Sequence, residues 1–385
     1  MADSVSDVLV IGGGVIGLSI AYRLRQRGLR VMLLERRRCG REASWAGAGM
    51  LIPPNPHRRG PMQLLLRRSL ELYPRFCEEL AAATGVDPEY EVCGALEILT
   101  TEQRYRMALS DQRAVAGRGA APDSKPLSDL QIEVLEPARA AAVEPALGAT
   151  APYGVLYVRS AAQVRNSRLL PALLIACQRA GVDIREGVTV SGLVRHGERV
   201  VGTRTGSTEF HSAAVVLAAG AWSAQVAPEV AELMPVYPVR GQIVLLWMLQ
   251  RPFRPIIEER PFYLVPRRDG HVLLGTTEEH DSGFEKRNTP QAVSRLISAA
   301  LRMVPMLSEA SVSAMWSGLR PGTPDRRPYI GPVPGVEGLI AATGHFRSGL
   351  MLAPITAEVV ADLLTTGKLA YDLSPCRPGR GEPPG

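Results

Sequence analysis

Val8-Leu9-Val10-Ile11-Gly12-Gly13-Gly14-Val15-Ile16-Gly17 is the stretch that decides the fold. Four consecutive apolar residues read as a buried strand, and they break directly into a Gly-x-Gly-x-x-Gly turn. An amphipathic segment from Leu18 to Arg27 follows, then Gly28, a second apolar run over Val31–Leu34, and Glu35. Strand, glycine turn, helix, strand and acid in that order make the dinucleotide-binding fingerprint in its full context. Gly12 allows the tight turn, Gly14 lets the backbone approach a pyrophosphate, and Gly17 lets helix and strand pack closely. Val15 and Ile16 open a helix whose N-terminus offers unpaired N–H groups and a positive dipole end to phosphates. Glu35, eighteen residues past Gly17, stands where a carboxylate accepts both ribose hydroxyls. It disfavours a ribose 2′-phosphate, although Arg36–Arg38 beside it weaken that exclusion. The motif alone does not say which dinucleotide binds.

The chain has 385 residues, 46% apolar and 21% charged, which is the make-up of an ordinary globular protein of two domains. Its net charge of +6 comes almost wholly from arginine; lysine occurs at Lys125, Lys286 and Lys368. The arginines are scattered and never interleaved with aromatics, so no nucleic-acid partner is expected. The longest uncharged apolar run, Leu169–Cys177, is far below a membrane span, and Met1-Ala2-Asp3-Ser4 has no basic leader region. Five cysteines without a C-x-x-C pair fit a reducing compartment, and six scattered histidines show no metal-ligand spacing. A cytoplasmic, metal-free protein is expected.

Beyond Glu35, residues 40–51 are rich in small side chains, and Met62–Ala83 has the apolar stripe of a long helix with a kink at Pro74. Glu91–Thr100 and Tyr153–Val158 read as strands, and Ser167–Arg179 as a helix. Val188–Val194 and Val200–Thr205 read as further strands. Val215-Val216-Leu217-Ala218-Ala219-Gly220 has the apolar continuity of a strand covered on both faces. Val239–Trp247 and a hairpin over Pro261–Thr276, turning at Asp269-Gly270, alternate more and suit an antiparallel sheet. Gly338–Ala342 is a strand, followed by glycines 344 and 349 and a helix from Pro354 to Leu364. Residues 101–150 carry no functional signal. Strand-glycine-helix units at both ends imply a nucleotide domain assembled from discontinuous segments: 1–85, 145–235 and 321–372. Residues 86–144 and 236–320 form an α+β substrate domain with a mainly antiparallel sheet, and 373–385 a disordered tail.

Four stretches together resemble the FAD-dependent amine oxidases of the D-amino acid oxidase superfamily. They are Gly12–Gly17 with Glu35; Gly40-Arg41-Glu42-Ala43-Ser44-Trp45-Ala46-Gly47-Ala48-Gly49-Met50-Leu51; Val215–Ser223; and Arg320–Gly331 with Gly344-His345-Phe346-Arg347-Ser348-Gly349-Leu350. Within that superfamily the second and last stretches are similar to the glycine oxidase, or ThiO-like, group. The resemblance spans roughly residues 7–365 and implies an α/β FAD-binding Rossmann-type domain. It places Gly12, Gly14, Val15, Ile16, Gly17, Glu35, Arg36, Ala43, Ser44, Ala48, Gly49, Met50, Val188, Ala219, Gly220 and Trp222 at the cofactor. His345, Phe346, Arg347, Ser348, Gly349 and Leu350 join them, His345 either as a charge modulator or as a structural histidine. No cysteine lies between residues 178 and 375, so noncovalent FAD is implied.

By the same resemblance, Arg320 gives a bidentate fork to a substrate carboxylate and Tyr263 a hydroxyl donor. Arg347 is a second cation near the carboxylate or the flavin. Glu278 departs from the family pattern: just after Gly275-Thr276-Thr277 it falls in the pocket region, where a carboxylate would hold a substrate ammonium or exclude acidic side chains. No acid–base side chain is identified as catalytic. The reaction implied is hydride transfer from Cα of glycine, sarcosine or D-alanine to flavin N5, with dioxygen as acceptor and hydrogen peroxide as product. The imine gives glyoxylate and ammonia or passes to a thiazole synthase, and a homo-oligomer is expected. The alternative is a dehydrogenase of D-amino acids or sarcosine that uses another acceptor.

Overall fold

The computed structural model describes residues 6–54, 60–116, 132–148 and 151–381. Its first sheet has a parallel heart. Ser6–Ile11 pairs with Val31–Glu35 on one side and with Thr208–Leu217 on the other. Asp183–Glu186 extends the sheet beyond Val31–Glu35, and Leu339–Thr343 extends it beyond Thr208–Leu217. Ser6–Ile11, Val31–Glu35, Leu339–Thr343 and the end of Thr208–Leu217 are covered on both faces, which is why the sequence shows unbroken apolar runs there. Thr208–Leu217 is long enough to serve two purposes. Its first residues continue an antiparallel meander from Gly192–His196 and Arg199–Thr205, and its second half enters the parallel sheet.

Helices Val15–Gln26, Pro61–Thr84, Asn166–Arg179 and Gly349–Thr366 bury one face of this sheet around Leu18, Leu24, Tyr73, Leu80, Leu173 and Leu352. The segment Phe346–Thr366 is long and apolar enough, by length and composition, to cross a membrane. Counting only unbroken apolar runs missed it, because Glu358 and Asp362 interrupt the pattern. Those acids pair with Arg23 and Arg27 of the neighbouring helix, and the apolar residues pack into the core.

The second sheet has eight strands in the order Ser311–Gly322, Tyr237–Trp247, His271–Gly275, Phe262–Pro266, Ile256–Glu259, Ala95–Ile98, Val155–Val158, Ile132–Leu135. Helix Pro290–Met303 covers one of its faces through Leu296, Ala299, Ala300 and Met303. The hairpin turns at Asp269-Gly270 as expected.

Several boundaries differ from the sequence reading. Val155–Val158, placed with the nucleotide segments, lies inside the second sheet. The strand expected over Glu91–Thr100 is two strands in different sheets, because Gly94 turns the chain with φ +78 between them. Asp183–Glu186 is an unforeseen strand whose polar sequence hides its pairing at a sheet edge. The strand expected over Val188–Val194 forms at Gly192–His196 instead. The helix expected to begin at Pro354 begins at Gly349. Residues 373–381 are ordered rather than loose: Cys376 is buried, and Arg380 pairs with Asp325 at 2.7 Å and stacks 3.8 Å from the Tyr329 ring centroid. Residues 382–385 of the expected tail and 117–131 and 149–150 of the uninformative stretch lie outside the described residues.

At the glycine turn the packing is backbone on backbone. A Cβ built on Gly17 would stand 1.9 Å from the Gly12 carbonyl oxygen. Gly17→Ala should therefore cost about 1–3 kcal/mol of stability through overpacking. Gly192→Ala, where a Cβ meets nothing within 4 Å, should change it by less than about 0.5 kcal/mol. Urea unfolding of the two variants against wild type checks this, and equal stabilities would refute the close-approach account.

Candidate active site

A single cavity of about 1010 Å³ runs from the carboxyl ends of the parallel strands to the face of the second sheet. The expected residues Gly12, Gly14, Val15, Ile16, Glu35, Arg36, Ala43, Ser44, Ala48, Gly49, Met50, Val188, Ala219, Gly220 and Trp222 line it. His345 through Leu350, Tyr263 and Arg320 line it too. Two expected residues do not. Gly17 packs against Gly12 and acts one layer back, and Glu278 lies outside the wall, bound to Arg347, Arg326 and His280.

At one end, Glu35 accepts hydrogen bonds from the N–H groups of Gly13 (2.8 Å) and Arg37 (3.0 Å). A carboxylate has about four lone-pair positions, so two remain for a ribose diol. The Arg36 guanidinium lies 3.5 Å from the Trp222 ring centroid and bonds Glu42, which Lys286 also reaches. Two helix N-termini open into the cavity, at Gly14–Ile16 and at Ser348–Met351. Neither Gly14 nor Ser348 supplies a side-chain cap, although the Ser44 hydroxyl accepts from the Val15 N–H at 2.9 Å. Two positive dipole ends facing one cavity suit an anionic ligand that is charged at more than one place.

The small-residue loop Ala43–Gly49 is held from both sides. Asn166 Nδ2 points at the carbonyls of Ser44, Trp45 and Gly47, at 2.5–2.9 Å. Arg267 donates to the Ala48 carbonyl at 2.7 Å and to Gln163 at 2.8 Å; its complete burial pulls the guanidinium down to about 10. A Cβ on Gly49 would stand 1.9 Å from the Val164 carbonyl oxygen, and one on Gly318 would stand 2.5 Å from Ala46. The loop can thus follow a planar ligand along its backbone with no side chain in the way. Elongated cavity, two helix N-termini facing it, diol-binding acid and small-residue cradle together fit FAD.

At the other end, two glycines hollow the second sheet. A Cβ on Gly241 would meet the Arg320 guanidinium at 2.3 Å, and one on Gly275 would meet the Tyr263 phenol at 2.2 Å. Arg320 and Tyr263 can therefore lie flat against the sheet and face the cavity. Arg320 donates to the Thr277 carbonyl (3.1 Å) and to the Thr276 hydroxyl (2.7 Å). Both acceptors are neutral, and among the described residues no carboxylate is within ion-pairing distance of it. Burial lowers the Arg320 guanidinium and raises the Tyr263 phenol, and each opposes the other's shift. Arg347 lies half-exposed at the rim, held by Glu278.

His345 is 2% exposed and shares a 3.1 Å hydrogen bond with Thr356. Burial pulls its imidazole down to about 3, so the ring is neutral and does not act as a charge beside the cofactor. The sequence reading also missed residues of the wall and its supports. Arg104 and Glu258 line the cavity, and Arg260 and Pro261 do so from the turn before Tyr263. Asn166, which looks like an ordinary helix start, and Arg267, which looks like a hairpin-turn charge, gave no signal that a loop hangs on them.

The fold and the site define a class, the flavin-dependent oxidoreductases. Residues 7–363 match the family model described as FAD dependent oxidoreductase. The chain is 40% identical to glycine oxidase of Pseudomonas aeruginosa over 374 residues, which is 96% of this chain and 98% of that one. It is 35% identical to the bifunctional protein ThiO/ThiG of Nostoc, over 94% of this chain and 53% of that protein. The crystal structure of glycine oxidase from Geobacillus kaustophilus superposes with a TM-score of 0.90 at 31% identity, covering 98% of this chain and 99% of that one. The chain belongs to the D-amino acid oxidase superfamily of FAD-dependent oxidoreductases, as a glycine-oxidase-like member.

The neutral, buried His345 has a consequence for stability. Unfolded, it takes a proton near its ordinary value of 6.5; folded, only near 3. Its contribution is complete above the unfolded value and is lost as pH falls toward the folded one. Between pH 7 and 5 this one group should remove about 2 kcal/mol of stability. His345→Asn should show a correspondingly flatter pH dependence in urea unfolding. An identical slope in both proteins would show that the imidazole is not buried neutral.

Proposed function

We propose that this protein oxidises glycine and other small amines, sarcosine and D-alanine among them, to the imine with FAD as the redox group and dioxygen as acceptor. The observation that carries this is Arg320, a partly buried cation in the cavity wall with no acid paired to it among the described residues. An uncompensated buried charge is costly, and a substrate carboxylate would relieve that cost. The guanidinium fork and the Tyr263 hydroxyl match the two oxygens of such a carboxylate. The neighbouring glycines keep the wall flat, so the amine end can lie along the small-residue loop.

Bound FAD would supply the hydride acceptor. The chain's own task is then orientation: Arg320 and Tyr263 fix the carboxylate, while the dipole of Gly349–Thr366 favours negative charge where its first N–H groups face the cavity. The likeness to glycine oxidases across nearly the whole chain supports the substrate class. Likeness to ThiO/ThiG proteins supports transfer of the imine to a thiazole synthase. The five cysteines are buried and none lines the cavity, which supports noncovalent FAD; a cytoplasmic setting belongs to the same proposal. A homo-oligomer belongs to the same proposal.

Anaerobic mixing of the FAD-loaded protein with glycine, sarcosine and D-alanine should bleach the flavin, and air should restore it with stoichiometric peroxide. Failure of all three to bleach would overturn amine oxidation, and bleaching without oxygen consumption would point to a dehydrogenase. Arg320→Leu should weaken glycine binding at least tenfold, as expected for a charged hydrogen bond of about 1.5–3 kcal/mol. An unchanged affinity would remove Arg320 from the substrate site.

A further inference from the structure

One carboxyl in the cavity mirrors the position of Arg320. Glu258 and Tyr263 are register partners across the hairpin of Ile256–Glu259 and Phe262–Pro266, so their side chains stand on the same face of the sheet. They belong to a single cross-strand row: Trp316, Ile243, Gly275, Tyr263, Glu258 and Glu97. Ile243, Gly318, Arg320, Tyr263 and Glu258 of this face all line the cavity. Among the described residues, Tyr263 thus lies beside a cation with no ion-paired anion and beside an acid with no ion-paired cation.

The charges around Glu258 are already engaged elsewhere. Glu97, on the next strand, is paired with Arg104 of helix Glu102–Ala116 at 2.8 Å and with Arg260 at 2.7 Å. Arg347, from the segment before Gly349–Thr366, is held by Glu278. Arg320 donates to Thr276 and Thr277. Among the described residues, the Glu258 side chain takes part in no ion pair and no hydrogen bond. Burial, with Glu97 adding to it and the arginines opposing, lifts its carboxyl to about 7.

We propose, on the footing that the substrate is a small amino acid, that Glu258 receives the substrate's ammonium group and takes one proton from it. An amino acid in neutral solution is a zwitterion, whereas oxidation needs the nitrogen lone pair. The N–H bond breaks, an O–H bond forms on Glu258, and the amine is left neutral; the proton returns to solvent after product leaves. A partly buried acid titrating near the working pH is matched to this transfer, and the same desolvation lowers the ammonium's own pKa toward it. The carboxylate clamp and the proton acceptor then flank Tyr263 and select zwitterions over simple amines or simple acids.

The test is anaerobic flavin reduction by glycine from about pH 5.5 to about 9, with the rate constant at limiting substrate reporting the free enzyme. Wild type should show an acid limb near 7. Glu258→Gln should reduce flavin on the order of 100-fold more slowly at neutral pH, and its limb should move up to that of the free ammonium. Glu258→Asp, which keeps the carboxyl, should recover most of the rate. Acetate, which has the carboxylate but no ammonium, should perturb the flavin spectrum with the same Kd in wild type and Glu258→Gln.

A wild-type limb that follows only the ammonium overturns the proposal without any variant. So does an unshifted limb in Glu258→Gln, or acetate binding weakened as much as glycine binding. Failure of wild type to bleach at all sinks the amine-oxidase reading; normal wild-type bleaching with an unaltered variant sinks only the role of Glu258.

Discussion

Backbone touching backbone at three places beside the cavity is the constraint on which the site depends. Gly17 meets the Gly12 carbonyl, Gly12 itself lies against Ala218, and Gly49 meets the Val164 carbonyl. A methyl group at any of them would sit 1.9–2.5 Å from a main-chain oxygen. The first two contacts bring the helix N-terminus up against the ends of the parallel strands. The third pins the small-residue loop between the two halves of the protein. A side chain at any of them would push the first helix or the small-residue loop out of place beside the cavity.

The second sheet applies the same economy to a different end. Gly241 and Gly275 leave room for a guanidinium and a phenol to lie flat, so the polar groups of the site are carried by strands, not by loops. Strand placement limits their freedom and keeps their relative positions set by register. The charge pattern is equally economical. Arg104, Arg260 and Arg347 are matched with Glu97 and Glu278, whereas Arg320 and Glu258, in no ion pair among the described residues, both face the cavity. An incoming zwitterion completes both, and a buried charge gains most from being completed.

How much of this was readable in advance depended on how local the cause was. The glycine turn, Glu35, and the loop 43–49 were legible because close approach demands small residues at fixed spacing. Arg320 and Tyr263 were legible only through family resemblance, since one arginine among so many has no distinguishing neighbours in sequence. Glu278 was misplaced for the same reason: closeness along the chain to Gly275 and Thr276 put it near the pocket, whereas the fold turns it toward Arg347 and Arg326. Glu258 and Arg104 were missed altogether. Ile256-Ile257-Glu258-Glu259 reads as a strand end meeting solvent, and only the pairing with Phe262–Pro266 and Ala95–Ile98 encloses it.

The amino-acid order by itself determined the dinucleotide unit, its assembly from separated segments, and the small-residue lining of the cofactor cavity. These follow from hydrophobic period and steric limits, which act over a few residues. Only the tertiary structure decided which charges are paired, which helix end begins at Gly349 instead of Pro354, and that His345 is buried neutral. Ionisation and pairing depend on distances of a few ångströms between residues far apart in the chain, from Glu97 with Arg260 to Asn166 with Ser44. Coulombic and solvation energies vary steeply over such distances, and sequence spacing carries no measure of them.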